Sequence, residues 1–368
     1  MKYLSKAFII FLILSSNWCL ASEASNKEEI QIRFHTALAA YENHVITNPD
    51  PELIPLAKEL YEAGSKLYAA EDITLGILAI YYANALNNRL PNNESIPLFE
   101  QAISIYKGAE EVPQKKLINA YVEFGKFYYQ FFNKRIKGKS YFNKALDVAE
   151  KNNDKLQIAS TKLDIGKIFL SYGTKSKNMT NKARKYIESS YTVFKEAGIP
   201  KQIEASFWAG KANLFAKKEK LAANYFEKTI NSASDKQVEQ HYSMASHAFL
   251  VVIYSKLGDE EKATEHSQII GKNQIWDDTV EPKPLYVVSS LYPRKAIKNK
   301  KEGFVTMKFT IDKNGFAKNV SVANSSGDKA YEEDSIITIK KWRFAPKFEN
   351  GIPVEAEANF TMSFGFVK

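Results

Sequence analysis

Cysteine is almost missing from this chain, with one residue, Cys19, in 368. An intramolecular disulfide is therefore excluded, and so are zinc ribbons, Cys-ligated clusters and thiol redox pairs. Long apolar runs are equally scarce. Residues 7–14 (AFIIFLIL) form one near the start, and no later run approaches the ~18–20 residues that a membrane-spanning helix needs. Catalytic signatures are missing too: there is no HExxH, no GxSxG and no Gly-rich phosphate loop. His35, His44, His241, His247 and His266 show no metal-ligand spacing, and His241 and His247 would face different sides of a helix. The carboxylate pairs Glu28-Glu29 and Glu332-Glu333 are adjacent in sequence and read as solvent-facing. These absences argue against an enzyme and call for no metal and no cofactor.

What is present is ordinary globular material: 45% apolar residues, 25% charged, 13% aromatic and a net charge of +9. The length allows two or three domains. Lys2 and Lys6 precede the apolar run, polar Ser15, Ser16 and Asn17 follow it, and Cys19-Leu20-Ala21 closes with small residues at alternate positions. That is the layout of a cleaved secretory signal over 1–21. An exported, periplasmic chain is the expectation; an uncleaved, inner-membrane-anchored one is the alternative. Nucleic acid is then an improbable partner.

Residues 22–280 read as helical. Apolar residues recur at i, i+3, i+4 and i+7, segment after segment. The helix-length patterns come in pairs, and the second members share a local signature: FEQAI at 99–103, YFNKAL at 141–146, YIESSY at 186–191 and YFEKTI at 225–230. Gly125, Gly166 and Gly210 stand 41 and 44 residues apart. A repeat of that length marks a solenoid whose units bury their apolar faces by stacking. The alternation of small and aromatic positions resembles tetratricopeptide repeats, although the period exceeds that family's. A groove lined by first helices would suit a peptide or a second protein. Tyr128, Tyr129, Trp208 and Tyr254 fall on those helices, where core packing is the stronger reading. Basic and acidic residues nearly balance here, which points to a solvated surface.

Pro282 and Pro284 mark a short linker over 281–290, and beyond it the period changes from 3.6 to 2. Val305, Met307, Phe309 and Ile311 share one face of a strand, Asp312-Lys313-Asn314-Gly315 is a turn, and 316–323 returns as a second strand. Asp328 would cap a helix running through Ala330, Ile336, Ile337 and Trp342, and Ala345-Pro346 would stop it. Strict alternation over 354–366 predicts one long final strand. At about 3.3 Å per residue it exceeds its partners, so part should overhang with unpaired backbone groups. Such an edge is a template for another chain's strand, or for a second copy of this one. Arg294, Lys295, Lys298, Lys300 and Lys301 add a basic stretch, which reads equally as a docking patch or a solvated helix face.

These C-terminal residues resemble the TonB C-terminal domain. The marks, in order, are Leu291-Tyr292-Pro293 with Ala296, Glu302-Gly303-Phe304-Val305, Phe309 with Ile311-Asp312 and Gly315, Val322 with Ser325-Ser326, Trp342-Arg343-Phe344 with Pro346, and Gly351 with Pro353-Val354. The resemblance implies a small α+β domain, over 291–368, with a three-stranded antiparallel sheet. It implies that the last strand grasps a short extended box of an outer-membrane receptor. Contacts carried over from the family are Ser289, Ser290, Leu291, Tyr292 and Pro293, with Val354, Glu355, Glu357, Asn359, Thr361, Ser363 and Phe366 on the strand. The family also transduces energy from an inner-membrane motor through an uncleaved anchor and a Pro-rich spacer. This chain has helical repeats where that spacer would be. The expected function is thus a periplasmic adaptor binding a TonB-dependent receptor or another periplasmic protein, with a second protein or peptide in the repeats. A membrane-anchored energy transducer for outer-membrane transport, and a scaffold homodimerising through its sheet, are the alternatives.

Overall fold

The structure, a computed structural model, describes residues 27–43, 53–88, 90–173, 176–288, 302–326 and 329–365. The predicted signal 1–21, Ser289 to Pro293, Asp328 and Phe366 lie outside the described residues. Among those described, no helix is long and apolar enough to cross a membrane. The chain is α+β: tetratricopeptide-like helical repeats precede a small sheet domain. It divides into two compact units, Met1–Gly173 and Thr174–Lys368.

The first unit holds α1 (27–43), α2 (Leu53–Leu67), α3 (Ile73–Leu86), α4 (Ser95–Gly108), α5 (Gln114–Gln130), α6 (Arg135–Lys151) and α7 (Lys155–Tyr172). Local chemistry sets several boundaries. Asp72 caps α3 by accepting from the Thr74 N–H at 2.7 Å, and Asp154 caps α7 by accepting from Leu156 and Gln157. Within a helix pair, glycine on one helix admits an aromatic ring from the other. A β-carbon at Gly76 would stand 2.7 Å from the Tyr106 ring, and one at Gly125 would stand 2.5 Å from Phe142. The freed space is filled with rings: Phe99 stacks on Phe124 at 4.9 Å, and Tyr129 meets Phe169 at 5.2 Å. Tyr128 and Tyr129 are buried in this core rather than open to a groove.

The second unit begins with α8 (Lys177–Glu196), α9 (Lys201–Phe215), α10 (Glu219–Ser232), α11 (Gln237–Leu257) and α12 (Glu260–Lys272). The same device recurs, with Gly210 of α9 only 2.7 Å from where the Phe226 ring of α10 would meet a β-carbon. Tyr254 is buried, and Trp208 is half-buried with the Lys211 ammonium 4.2 Å from its ring. Then come β1 (Gly303–Ile311), β2 (Ala317–Ser326), α13 (Ala330–Ile339), β3 (Lys347–Glu349), β4 (Ile352–Val354) and β5 (Ala356–Phe364). One sheet has the order β2-β1-β5, antiparallel throughout, and β3-β4 is a separate hairpin.

The expected single strand over 354–366 is therefore two strands. Asn350 and Gly351 both take positive φ, 52° and 79°, which folds β4 back on β3. Glu355 separates β4 from β5. The helix is also shorter than expected: it ends at Ile339, and Trp342 follows it. Trp342 is buried all the same. Its Nε1 donates to the Val288 carbonyl at 2.9 Å, and its ring meets Phe360 edge-on at 5.1 Å. The domain core joins it to Val305, Met307, Phe309, Ile311, Tyr331 and Phe344.

Candidate functional site: the open edge of the last strand

β5 is at the edge of its sheet, and β1 covers its whole length. The register runs from Gly303 opposite Phe364 to Ile311 opposite Ala356. No part of β5 overhangs, so the expected overhang is corrected. Its openness comes from position in the sheet, not from excess length.

Which backbone groups are open follows from the alternation of an antiparallel ladder. On β1, Phe304 donates its N–H to Ser326 Oγ, the Lys308 carbonyl accepts from Ser321 Oγ, and Asp312 donates to the Phe316 carbonyl. Even-numbered residues of β1 thus turn their backbone toward β2, and odd-numbered ones toward β5. Across from those odd residues stand Ala356, Ala358, Phe360, Met362 and Phe364. The residues between them, Glu357, Asn359, Thr361 and Ser363, turn N–H and C=O outward. Among the described residues no strand pairs with that outer edge.

Side chains divide the same way. Ala356, Ala358, Met362 and Phe364 are buried against the core, and Glu357, Asn359 and Ser363 are exposed. On the polar face Thr361 Oγ1 is 3.1 Å from Thr306 Oγ1, and Glu357 accepts from Thr310 at 3.0 Å and pairs with Lys308 at 3.3 Å. Residues 276–282 stand beside the Glu357–Asn359 end of the strand, across a cavity of 320 Å³. Trp276 holds that segment by packing on the domain core, and Asp278 accepts from Trp276 Nε1 at 2.7 Å. The cavity that 276–282 share with β5 ends at Asn359. Val354 belongs to the β3-β4 hairpin, opposite Lys347, and Glu355 to the connection.

Sequence reasoning missed how the domain is seated. Arg343 is 1% exposed. It donates to Thr264 Oγ1 of α12 at 2.6 Å and to the Asn314 carbonyl at 3.0 Å, and it pairs with Glu260. Its guanidinium lies 3.8 Å from the Phe316 ring centre. Burial pulls its pKa down, and the Glu260 and Asp312 carboxylates oppose that pull. Ala345 packs with Ile270 and Val251, and Gly271 of α12 lies so close to the Pro346 carbonyl that a β-carbon would collide with it. The change of period at Pro282 and Pro284 is thus not a gap in packing. Another miss is His247, whose Nδ1 is 2.9 Å from that of buried His266. Among the described residues no group of three or more His, Cys, Asp or Glu could hold a metal.

The helical repeats are followed by a small C-terminal domain whose sheet has an open edge. Within it, residues 289–366 match the family model described as the Gram-negative bacterial TonB protein C-terminal. They are similar to Protein TonB of Vibrio cholerae serotype O1 (strain ATCC 39315 / El Tor Inaba N16961), 31% identical over 77 residues. That similarity spans 21% of this chain and about a third, 32%, of the Vibrio protein. Among solved structures, BtubC from P. vanneervenii resembles 71% of this chain over 99% of its own, with TM-score 0.47 and 13% identity. PilW, a type IV pilus biogenesis factor, covers 66% of this chain and 93% of its own, with TM-score 0.46 and 17% identity. The apo form of RapI covers 67% and 84%, with TM-score 0.48 and 16% identity.

Proposed function

We propose that this chain is an envelope adaptor that captures an extended segment of a partner by strand addition to the outer edge of β5, while its helical repeats hold a second protein. One observation carries this reading. Every residue of β5 is paired on its β1 side, and alternate residues from Glu357 to Ser363 turn their backbone groups to an edge that no described strand occupies. Backbone pairing supplies affinity without regard to sequence, and the flanking side chains select the partner. The TonB-like character of 289–366 makes the box of an outer-membrane receptor the first partner to try, and an exported, periplasm-facing chain the setting.

The test is calorimetry of the full chain against box peptides from outer-membrane receptors of the same cell. Proline at Thr361 deletes an outward donor and leaves the β1 ladder intact. Binding should fall about tenfold or more, roughly 1.4 kcal/mol, with the melting temperature little changed. Proline at Asn359 should weaken binding less, because 276–282 already flank that end. If the wild-type chain binds no such peptide and instead dimerises through β5, the receptor reading fails.

A further inference from the structure

The helical repeats are nearly neutral as a whole, yet one cavity of the second unit gathers cations only. Its volume is 810 Å³, within the range of ligand pockets. One wall is α8, where Lys177, Thr180, Asn181, Arg184 and Lys185 recur at the i, i+3, i+4, i+7, i+8 spacing of a single helix face. The other wall is the turn between α9 and α10, which contributes Phe215, Lys217 and Lys218. Among the described residues, five cations line the space and no carboxylate does.

Their pairing is unusual. Lys177, Lys185, Lys217 and Lys218 are exposed, and among the described residues none makes an ion pair. Arg184 is held in place from behind: its Nη1 lies 2.9 and 3.2 Å from the two Glu188 oxygens, and Asn213 Nδ2 donates to the same carboxylate at 2.9 Å. Its Nε is buried and has no acceptor. The first turn of α8 opens at Lys177, so the positive end of a 20-residue helix adds to the same field. Phe215, 53% exposed, supplies an apolar lip.

We infer that this cavity binds a ligand carrying clustered phosphate groups. Four unpaired ammonium groups beside a fixed guanidinium repel one another. A phosphate bears nearly two charges on a compact set of acceptor oxygens, so two or three of them neutralise the cluster within the cavity's volume. Carboxylates carry one charge each, and an acidic peptide would need a longer groove to bring as many.

Calorimetry of sodium tripolyphosphate into the full chain at low salt tests this. The wild-type chain should bind, with affinity falling steeply as salt rises. Lys217→Gln with Lys218→Gln, and separately Lys177→Gln with Lys185→Gln, should each weaken binding about tenfold or more, and the four together should abolish it. Lys115→Gln with Lys116→Gln removes the same charge from α5 and should change nothing. Circular dichroism of each variant verifies its fold. Phosphatidylglycerol vesicles distinguish the source: co-sedimentation that disappears in the fourfold variant assigns a lipid phosphate, and no co-sedimentation of the wild type assigns a soluble one. The inference is overturned if tripolyphosphate does not bind, if the α5 variant loses as much affinity, or if a glutamate-rich peptide binds more tightly.

Discussion

In α9 and α10 the backbone is satisfied inside each helix, and only side chains remain to meet anything else. In β5 alternate residues turn their backbone outward. The helices close on one another through shape, Gly210 admitting the Phe226 ring, and a partner of that region must read surface chemistry. The sheet closes through hydrogen bonds and runs out of strands. A partner of either region would therefore meet unrelated physics, side chains on the repeats and backbone groups at the edge.

The first way to test this contrast is to damage both cores equally. Phe226 is fully buried and Trp342 is 7% exposed. Truncating either to alanine should cost about 3–5 kcal/mol, read as a shift in denaturant midpoint. A loss under about 1 kcal/mol for Trp342→Ala would show its ring free to meet a partner. Because Arg343 and Gly271 tie the sheet to α12, Trp342→Ala should also weaken protection of α11 and α12 in hydrogen exchange.

A second test uses acid. Burial, reinforced by the neighbouring His266 ring, pushes His247 down to about 4, and burial lowers His266 as well. Glu265 and Glu227 oppose these shifts, and Lys262 adds to that on His266. The folded state then binds fewer protons than an unfolded chain with ordinary histidines near 6.5. Stability should be full above about pH 6.5 and decline toward pH 4, by on the order of 3 kcal/mol from this pair. The melting temperature should drop over that window. His247→Leu with His266→Leu should flatten the decline; an unchanged slope would assign it to other groups.

A smaller effect should separate helix from sheet. Asp154→Ala removes the cap of α7 and should cost about 1 kcal/mol. Thr361→Pro, on the open edge, should cost less than that. Met362→Pro, whose N–H faces β1, should cost about 3 kcal/mol or more. Equal losses at 361 and 362 would mean that both donors are paired. The smallest effect belongs to the exposed Lys308–Glu357 pair, where Glu357→Lys should shift stability by less than about 1 kcal/mol while altering the salt dependence of binding.

Local features were legible in the sequence. The turn at Asp312 forms as its composition suggests, with Asp312 accepting from Asn314 and Phe316 and Gly315 at φ 86°. The small-and-aromatic alternation foretold the helix pairs, because it spans neighbouring helices. The edge was foreseen for the wrong reason. Strict alternation over 354–366 hid the fold-back at Asn350-Gly351, although Asn-Gly is a strong hairpin signal in its own right. What stayed hidden was non-local. Nothing near Arg343 in the chain announces Thr264 or Glu260, and Lys217 says nothing of Lys177 until α8 and α9 are side by side.

The seat of Arg343 has a mechanical consequence. A strand hydrogen-bonded along β5 and pulled along its axis loads its bonds together, in shear, rather than one at a time. That tension does not stop in the sheet. It passes across β1 to the Asp312–Phe316 turn, and from there, through the guanidinium and the close approach of Gly271 to Pro346, into α12. A tug on a strand added there would thereby be delivered to α12 as if through a riveted joint.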